Sequence, residues 1–282
     1  MNSPQSKASL LKALEQGVIH DLGDEVKNLC LQRVVVGIFF TGVQLNNGIG
    51  AMCATPVKSV PAAVCCTSSV NALPTPGKLA GKPVLDVLED LHKPKQDLRR
   101  AIAIASLNAL IETLWQTRGD PPVQIAGKGD AFQLLEFKPD DKVVLVGAFP
   151  PYMRELCQRK QDFKVLELDP SVLKPHEMPY FAPADTAPEV VPWADIFITT
   201  GTTLINGTLD ALLGYVKPRA RVAVIGPTTP LYPEPFKHRG VNLIGGSRVN
   251  DPQTLLDLLA EGTSGYHFFE KTVDRISLLI SD

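Results

Sequence analysis

The sequence lacks the signatures that most often fix a chain's chemistry. G-x-G-x-x-G, paired C-x-x-C, H-E-x-x-H and G-x-S-x-G are all absent from its 282 residues. Their absence removes the dinucleotide fingerprint, the spacing of structural zinc ligands, the zincin helix and the nucleophile elbow. An excess of charge is missing too. With 28 Lys and Arg against 30 Asp and Glu, the formal net charge is -2. No basic footprint draws such a chain to phosphate backbones or anionic lipid, so neither nucleic acid nor a membrane is an expected partner. No run approaches the roughly 20 apolar residues of a membrane span. Met1 to Gly17 places Lys7, Lys12 and Glu15 among short apolar stretches, where a secretory signal would be continuously apolar. A cytoplasmic location is the expectation. The five cysteines are odd in number and are expected as buried, reduced thiols. Cys65 and Cys66 are adjacent, and neighbours in an extended segment point to opposite faces, so they are poor joint ligands for one ion.

With 44% hydrophobic and 21% charged residues, the composition is that of a globular protein able to bury a large core. Its length points to two domains. The expected division is an α+β domain over residues 1–128 and a Rossmann-like α/β domain with a mainly parallel sheet over 129–282.

In the first part, helical spacing runs from Ser9 to Leu31, with Gly17 and Gly23 as candidate breaks. Arg33 to Leu45 is dense in β-branched and aromatic residues. Asn46-Asn47-Gly48 then predicts the turn of a β-hairpin that returns through Ile49 to Thr55. A short helix over Pro83 to Leu91 and a longer, largely buried one over Lys95 to Thr117 follow. On that long helix Ser106 and Asn108 stand out as polar, and each must find a core partner or face a ligand.

From Asp141 onward the pattern alternates. Short apolar runs at Lys142 to Gly147, Phe163 to Leu168, Asp195 to Thr200, Arg221 to Gly226 and Val241 to Gly245 read as buried parallel strands. Helical patterns at Tyr152 to Lys160, Leu204 to Val216 and Pro252 to Glu261 separate them, which predicts a doubly wound sheet. The tail from Lys271 to Ile280 reads equally as helix or strand.

Ligands of such sheets bind outside the carboxyl ends of the strands. The first strand runs into Gly147-Ala148-Phe149-Pro150-Pro151, whose prolines remove N–H donors that a diphosphate would use. The second ends at Glu167-Leu168-Asp169, where Rossmann proteins carry the acidic residue that grips ribose; capping of the next turn is the plainer alternative. The third leads into Thr199-Thr200-Gly201-Thr202-Thr203-Leu204-Ile205-Asn206-Gly207-Thr208. Hydroxyls this dense, running into a helix, exceed what capping needs and point to ligand contact. The fourth repeats the theme at Gly226-Pro227-Thr228-Thr229-Pro230. Arg248 adds a cation that could pair with an anionic ligand or with a neighbouring carboxylate. His176, His238 and His267, with Glu177 and Glu270, are candidate metal ligands, although solvated loop histidines are the plainer reading.

Val146-Gly147-Ala148-Phe149-Pro150, Glu167-Leu168-Asp169, Ala194 to Thr208 and Gly226 to Pro230 together resemble the putative heavy-metal chelation domain family, over nearly the whole chain. The resemblance implies a Rossmann-like domain preceded by a module similar to the enolase N-terminal fold, with a site in the cleft between them. On that reading the first module would close over the ligand from Thr41 and Asn108. It also implies a metallophore- or corrinoid-related role. The rim offers hard oxygen donors, so a metal ion held through a small-molecule chelator fits better than one held by side chains alone. The leading expectation is binding or processing of a small anionic metabolite. An enzyme using a nucleotide-like cofactor, S-adenosylmethionine or a nicotinamide, is the alternative, and a non-catalytic scaffold is the third. Catalysis, the catalytic residues, the metal and a homodimeric state stay open.

Overall fold

The computed structural model describes residues 8–59, 74–121, 123–128 and 130–280. Cys65 and Cys66 lie outside them. In chain order the regular elements are α1 (Leu10–Leu22), β1 (Leu31–Val36), β2 (Phe40–Leu45), β3 (Gly50–Ala54), α2 (Val84–Leu88), α3 (Asp97–Arg118), β4 (Gln124–Lys128), β5 (Lys142–Val146), α4 (Pro150–Gln158), β6 (Asp162–Glu167), β7 (Phe181–Pro183) and α5 (Ala187–Val190). They continue with β8 (Ile196–Thr200), α6 (Leu209–Tyr215), β9 (Arg221–Ile225), α7 (Pro233–Lys237), β10 (Leu243–Val249), α8 (Pro252–Ala260), α9 (Gly265–Phe268) and β11 (Val273–Leu279). Short 3-10 turns join many of them. Among the described residues no helix is long and apolar enough to cross a membrane.

The chain divides into two compact units. One comprises Met1–Pro122, Pro230–Pro235 and Ser247–Asp274; the other comprises Val123–Thr229, Phe236–Gly246 and Arg275–Asp282.

The first unit is built on the antiparallel sheet β1-β2-β3. Its first helix starts where the Ser9 side chain accepts the Lys12 N–H, and its buried residues Leu10, Leu14, Val18 and Leu22 recur on one face. The helix runs through Gly17, since a single interior glycine costs only about 1 kcal/mol, and stops at Gly23. Arg33 to Leu45, one run in the sequence, is two strands. The chain reverses at Gly37 to Phe39, and the Gly37 N–H donates to the Phe40 carbonyl at 3.0 Å. The Asn46-Asn47-Gly48 turn is where expected, and Asn47 Nδ2 donates to Thr113 Oγ1 on α3 at 3.0 Å.

Helix α3 is buried nearly all round and packs on β2 and β3. Its polar residues are absorbed locally: Ser106 Oγ donates to the Ile102 carbonyl and Thr113 Oγ1 to the Ala109 carbonyl, each at 2.8 Å. Asn108 Nδ2 donates to the Met52 carbonyl on β3 at 3.2 Å. A satellite core joins Met52 to Leu255, Leu256 and Leu259 of α8 and to Phe268.

The second unit carries the eight-stranded sheet, in the order β4-β11-β10-β9-β8-β5-β6-β7. The stretch from β10 to β7 is parallel throughout, and β4 pairs antiparallel with β11. Alternation sets the core: Val143 and Leu145, Phe163 and Val165, Ile196 and Ile198, and Ala223 and Ile225 share one face with Met153 and Leu156 of α4. Val144, Leu166, Phe197 and Val224 are buried as well, as a parallel sheet covered on both sides requires. The tail resolves as a strand. Leu204 to Val216 is not one helix; a 3-10 turn covers Gly201–Leu204, and α6 begins only at Leu209.

Candidate functional site

The strand order places the site. From β5 the chain winds outward through β6 to β7, and from β8 it winds the other way through β9 to β10, so the direction reverses between β5 and β8. Loops leaving the two strands part there and open a crevice beyond the strand ends. A cavity of about 130 Å³ lies at this point, walled by residues at the ends of β5, β6 and β8. An apolar cavity of roughly 150 Å³ accommodates benzene, so this one holds a group of ring size.

Two glycines set how closely the loops at this end of the sheet approach one another, and Gly147 also lines the cavity. Gly147 ends β5 with φ of 96°, a conformation that side chains disfavour, and a Cβ there would lie 3.0 Å from Thr200 Cγ2. A Cβ on Gly201 would lie 2.6 Å from Thr229 Oγ1 and 2.8 Å from the Thr229 backbone nitrogen. The threonine-rich loops after β8 and β9 are therefore pressed together. Thr228 and Thr229 are buried, and Thr229 Oγ1 has no hydrogen-bond partner among the described residues.

One wall carries Thr200, Thr202, Thr203, Asn206 and Thr208, and their hydrogen bonds decide what they can offer. Thr202 donates to Thr200 Oγ1 through both its backbone N–H, at 3.3 Å, and its hydroxyl, at 3.2 Å. Thr203 Oγ1 donates to the Thr200 carbonyl at 2.7 Å. Asn206 Oδ1 accepts the Thr208 N–H at 3.2 Å and the Thr208 hydroxyl at 2.8 Å. A hydroxyl has one proton and two lone pairs. The hydroxyl protons of Thr202, Thr203 and Thr208 are thus spent within the loop, and what these residues retain is acceptor capacity. Thr200 Oγ1 and the Asn206 amide nitrogen remain as donors.

Glu167 lines the cavity at the end of β6. Its Oε2 accepts the Ala148 N–H at 3.0 Å, and its Oε1 accepts those of Leu168 at 2.8 Å and Asp169 at 3.2 Å. The carboxylate ties the end of β6 to the turn after β5, the capping role weighed in the sequence, while still facing the cavity. No Lys, Arg or His is among the lining residues. A second negative charge about 5 Å from this carboxylate would be opposed by about 1 to 3 kcal/mol, depending on how much solvent remains. The rest of the lining is mostly apolar: Val146, Leu166, Leu168, Ala184 and Leu212. Sequence reasoning did not single these out, because an apolar residue at a strand end carries no signal distinct from core.

The remaining candidates fall elsewhere. Phe149 precedes α4, which opens with Pro150 at its first turn; its ring stacks on Tyr152 at 5.0 Å. Tyr152 donates to Asp130, and burial, reinforced by that carboxylate, pushes its pKa up. Asp169 caps the following turn, accepting the Ser171 N–H at 2.9 Å and its hydroxyl at 2.6 Å. Pro227 follows Gly226 in the loop that leads to the buried Thr228 and Thr229.

Thr41 and Asn108 belong to the first unit; Thr41 is fully buried, with its Oγ1 2.9 Å from Thr55 Oγ1. Arg248, also in that unit, pairs with Glu112 and Asp120, each at 2.9 Å, the carboxylate alternative. His267 is held in a capping box with Ser264. Among the described residues no group of three or more His, Cys, Asp or Glu is placed to hold a metal. The cavity's hydroxyls, amide and single carboxylate are hard oxygen donors, which do not fit a soft heavy metal held by side chains alone.

Fold and cavity together define a Rossmann-like α/β protein with a small cavity at the switch point of its parallel sheet. The sequence profile of the family described as putative heavy-metal chelation matches residues 130–278, and a second profile of the same description matches residues 19–111. The chain belongs to this family. It is similar to an uncharacterised protein of Methanocaldococcus jannaschii, at 27% identity over 172 residues, 61% of this chain and 62% of that protein. The chain thus spans about 62% of the length of that curated relative.

Among solved structures, a family protein with unknown function from Pyrococcus horikoshii superimposes with a TM-score of 0.75 at 19% identity, covering 96% of this chain and 100% of that one. Another, from Desulfitobacterium hafniense, gives 0.71 at 17% identity, covering 96% and 98%. At such identities the likeness shows the fold.

Proposed function

We propose that the chain binds or processes a small anionic, metal-chelating metabolite, with the metal carried by the organic ligand and not by protein side chains. The family's description, putative heavy-metal chelation, supports the metal clause, and a metallophore- or corrinoid-related role is its proposed refinement. The observation that carries the reading is the cavity at the strand-order reversal, lined by hydroxyl and amide groups together with aliphatic side chains. That mixture suits a ring-sized organic group with a few polar contacts. Hard oxygen donors are a poor match for soft metals, which is why the metal is assigned to the organic ligand.

Thermal unfolding of the full chain tests it, with each divalent metal alone, each candidate chelator alone and each pair. The chelator or the pair is expected to raise the melting temperature, since a ligand present at about 100 times its Kd adds about 2.7 kcal/mol. A shift produced by metals alone, or no shift with any pair, would count against it.

The alternative of a nucleotide-like cofactor, S-adenosylmethionine or a nicotinamide, draws on Glu167 in the cavity wall. Three backbone N–H groups already occupy that carboxylate. Calorimetry with those cofactors separates the two readings; affinity that drops in Glu167→Ala would favour the second.

A further inference from the structure

The hydrogen-bond polarity of the cavity says which end of the ligand enters. With the hydroxyl protons of Thr202, Thr203 and Thr208 donated inside the loop, the polar wall presents mainly oxygen lone pairs. Glu167 adds a carboxylate whose Oε2 accepts a single N–H, from Ala148. Lone pairs and a negative charge repel an anion and attract O–H donors, and no cation lines the cavity to offset them. Thr200 Oγ1 and the Asn206 amide nitrogen supply donors for the lone pairs of the same incoming hydroxyls. Leu166, Ala184 and Leu212 in the same lining suit a flat or compact carbon frame, and the volume limits that frame to about one ring.

Resting on the proposed function, we infer that the cavity takes an uncharged ring bearing neighbouring hydroxyl groups, so that the ligand's negative charge and any bound metal lie outside it. Catechol-like and ribose-like ends share this chemistry. The carboxylate that caps the β5 turn is then also the group that selects the ligand by charge.

The test is equilibrium binding to the full chain, followed by ligand-observed NMR, with four probes: catechol, methyl ribofuranoside, benzoate and inorganic phosphate. Catechol or the riboside is expected to bind at least tenfold more tightly than benzoate or phosphate, and which of the two binds identifies the source. Glu167→Gln keeps an acceptor oxygen for the turn and removes the charge, so benzoate should gain at least fivefold relative to catechol. Thr202→Val is nearly isosteric and should weaken the hydroxyl probe at least fivefold; it keeps the question answerable if Glu167→Gln does not fold. Preference for benzoate or phosphate that is lost in Thr202→Val would overturn this inference and leave the proposed function standing. Binding of none of the four would overturn this inference, and a chelator that still raises the melting temperature would leave the proposed function standing.

Discussion

At Gly201 a single methyl group is enough to disturb the site. Its Cβ would fall within 2.8 Å of two Thr229 atoms, one of them backbone, and backbone cannot swing aside. Gly201→Ala is expected to lower unfolding stability by about 1 to 3 kcal/mol, read as a lower urea midpoint. Glu167 acts by the opposite means, since it is needed for what it accepts. Glu167→Ala leaves the N–H groups of Ala148, Leu168 and Asp169 without their acceptor, at an expected cost of about 2 to 3 kcal/mol. Glu167→Gln should cost less than the alanine variant in the same denaturation series, because one acceptor oxygen remains. The polar cluster was legible as residues, since five threonines within ten positions exceed what capping requires. Its wiring was not legible, because which hydroxyl spends its proton depends on a 3-10 turn followed by the turn at Asn206.

Between elements, the amino-terminal ends of the parallel neighbours β5 and β8 are tied by Asp195. Its Oδ2 accepts the Lys142 N–H at 3.0 Å and its Oδ1 receives Lys217 Nζ at 2.6 Å. The Lys217 ammonium and then the Lys142 N–H hold its carboxyl below the ordinary carboxylate pKa. A depressed folded pKa contributes stability that is present above the unfolded value, about 3.9, and is lost as pH falls through the folded one. Asp195→Asn should therefore melt lower than wild type near pH 7, and the gap should close as the pH drops below about 4. Because the pair is about one-third exposed, the expected difference is only about 0.5 to 1 kcal/mol.

Elements dominated by a clean period were read well: the strands at Lys142, Asp195 and Arg221 and the helices α3, α4 and α8 lie within a few residues of their predicted places. Elements set by tertiary contact were not. β4 and β7 are short segments completed by pairing with β11 and β6, and nothing in their own alternation marks them. The run Arg33 to Leu45 hid a reversal because Ile38 and Phe39, both exposed, look like strand interior.

For the whole molecule, the shared fold extends over 96% of the chain at 17 to 19% identity. That likeness is one of fold, and in this chain the strand order of that fold sets the reversal between β5 and β8 beside which the cavity lies. The family's description and the hard oxygen donors among the cavity's polar groups then meet in one proposal, that an organic chelator occupies this cavity. A crystal structure of the chain soaked with whichever chelator raises its melting temperature most tests that claim most directly. The account predicts density for the ligand's ring against Thr200, Thr202 and Asn206, with the metal beyond van der Waals contact of Glu167. Ligand bound elsewhere while the cavity stays empty, or a metal coordinated by side chains alone, would contradict it.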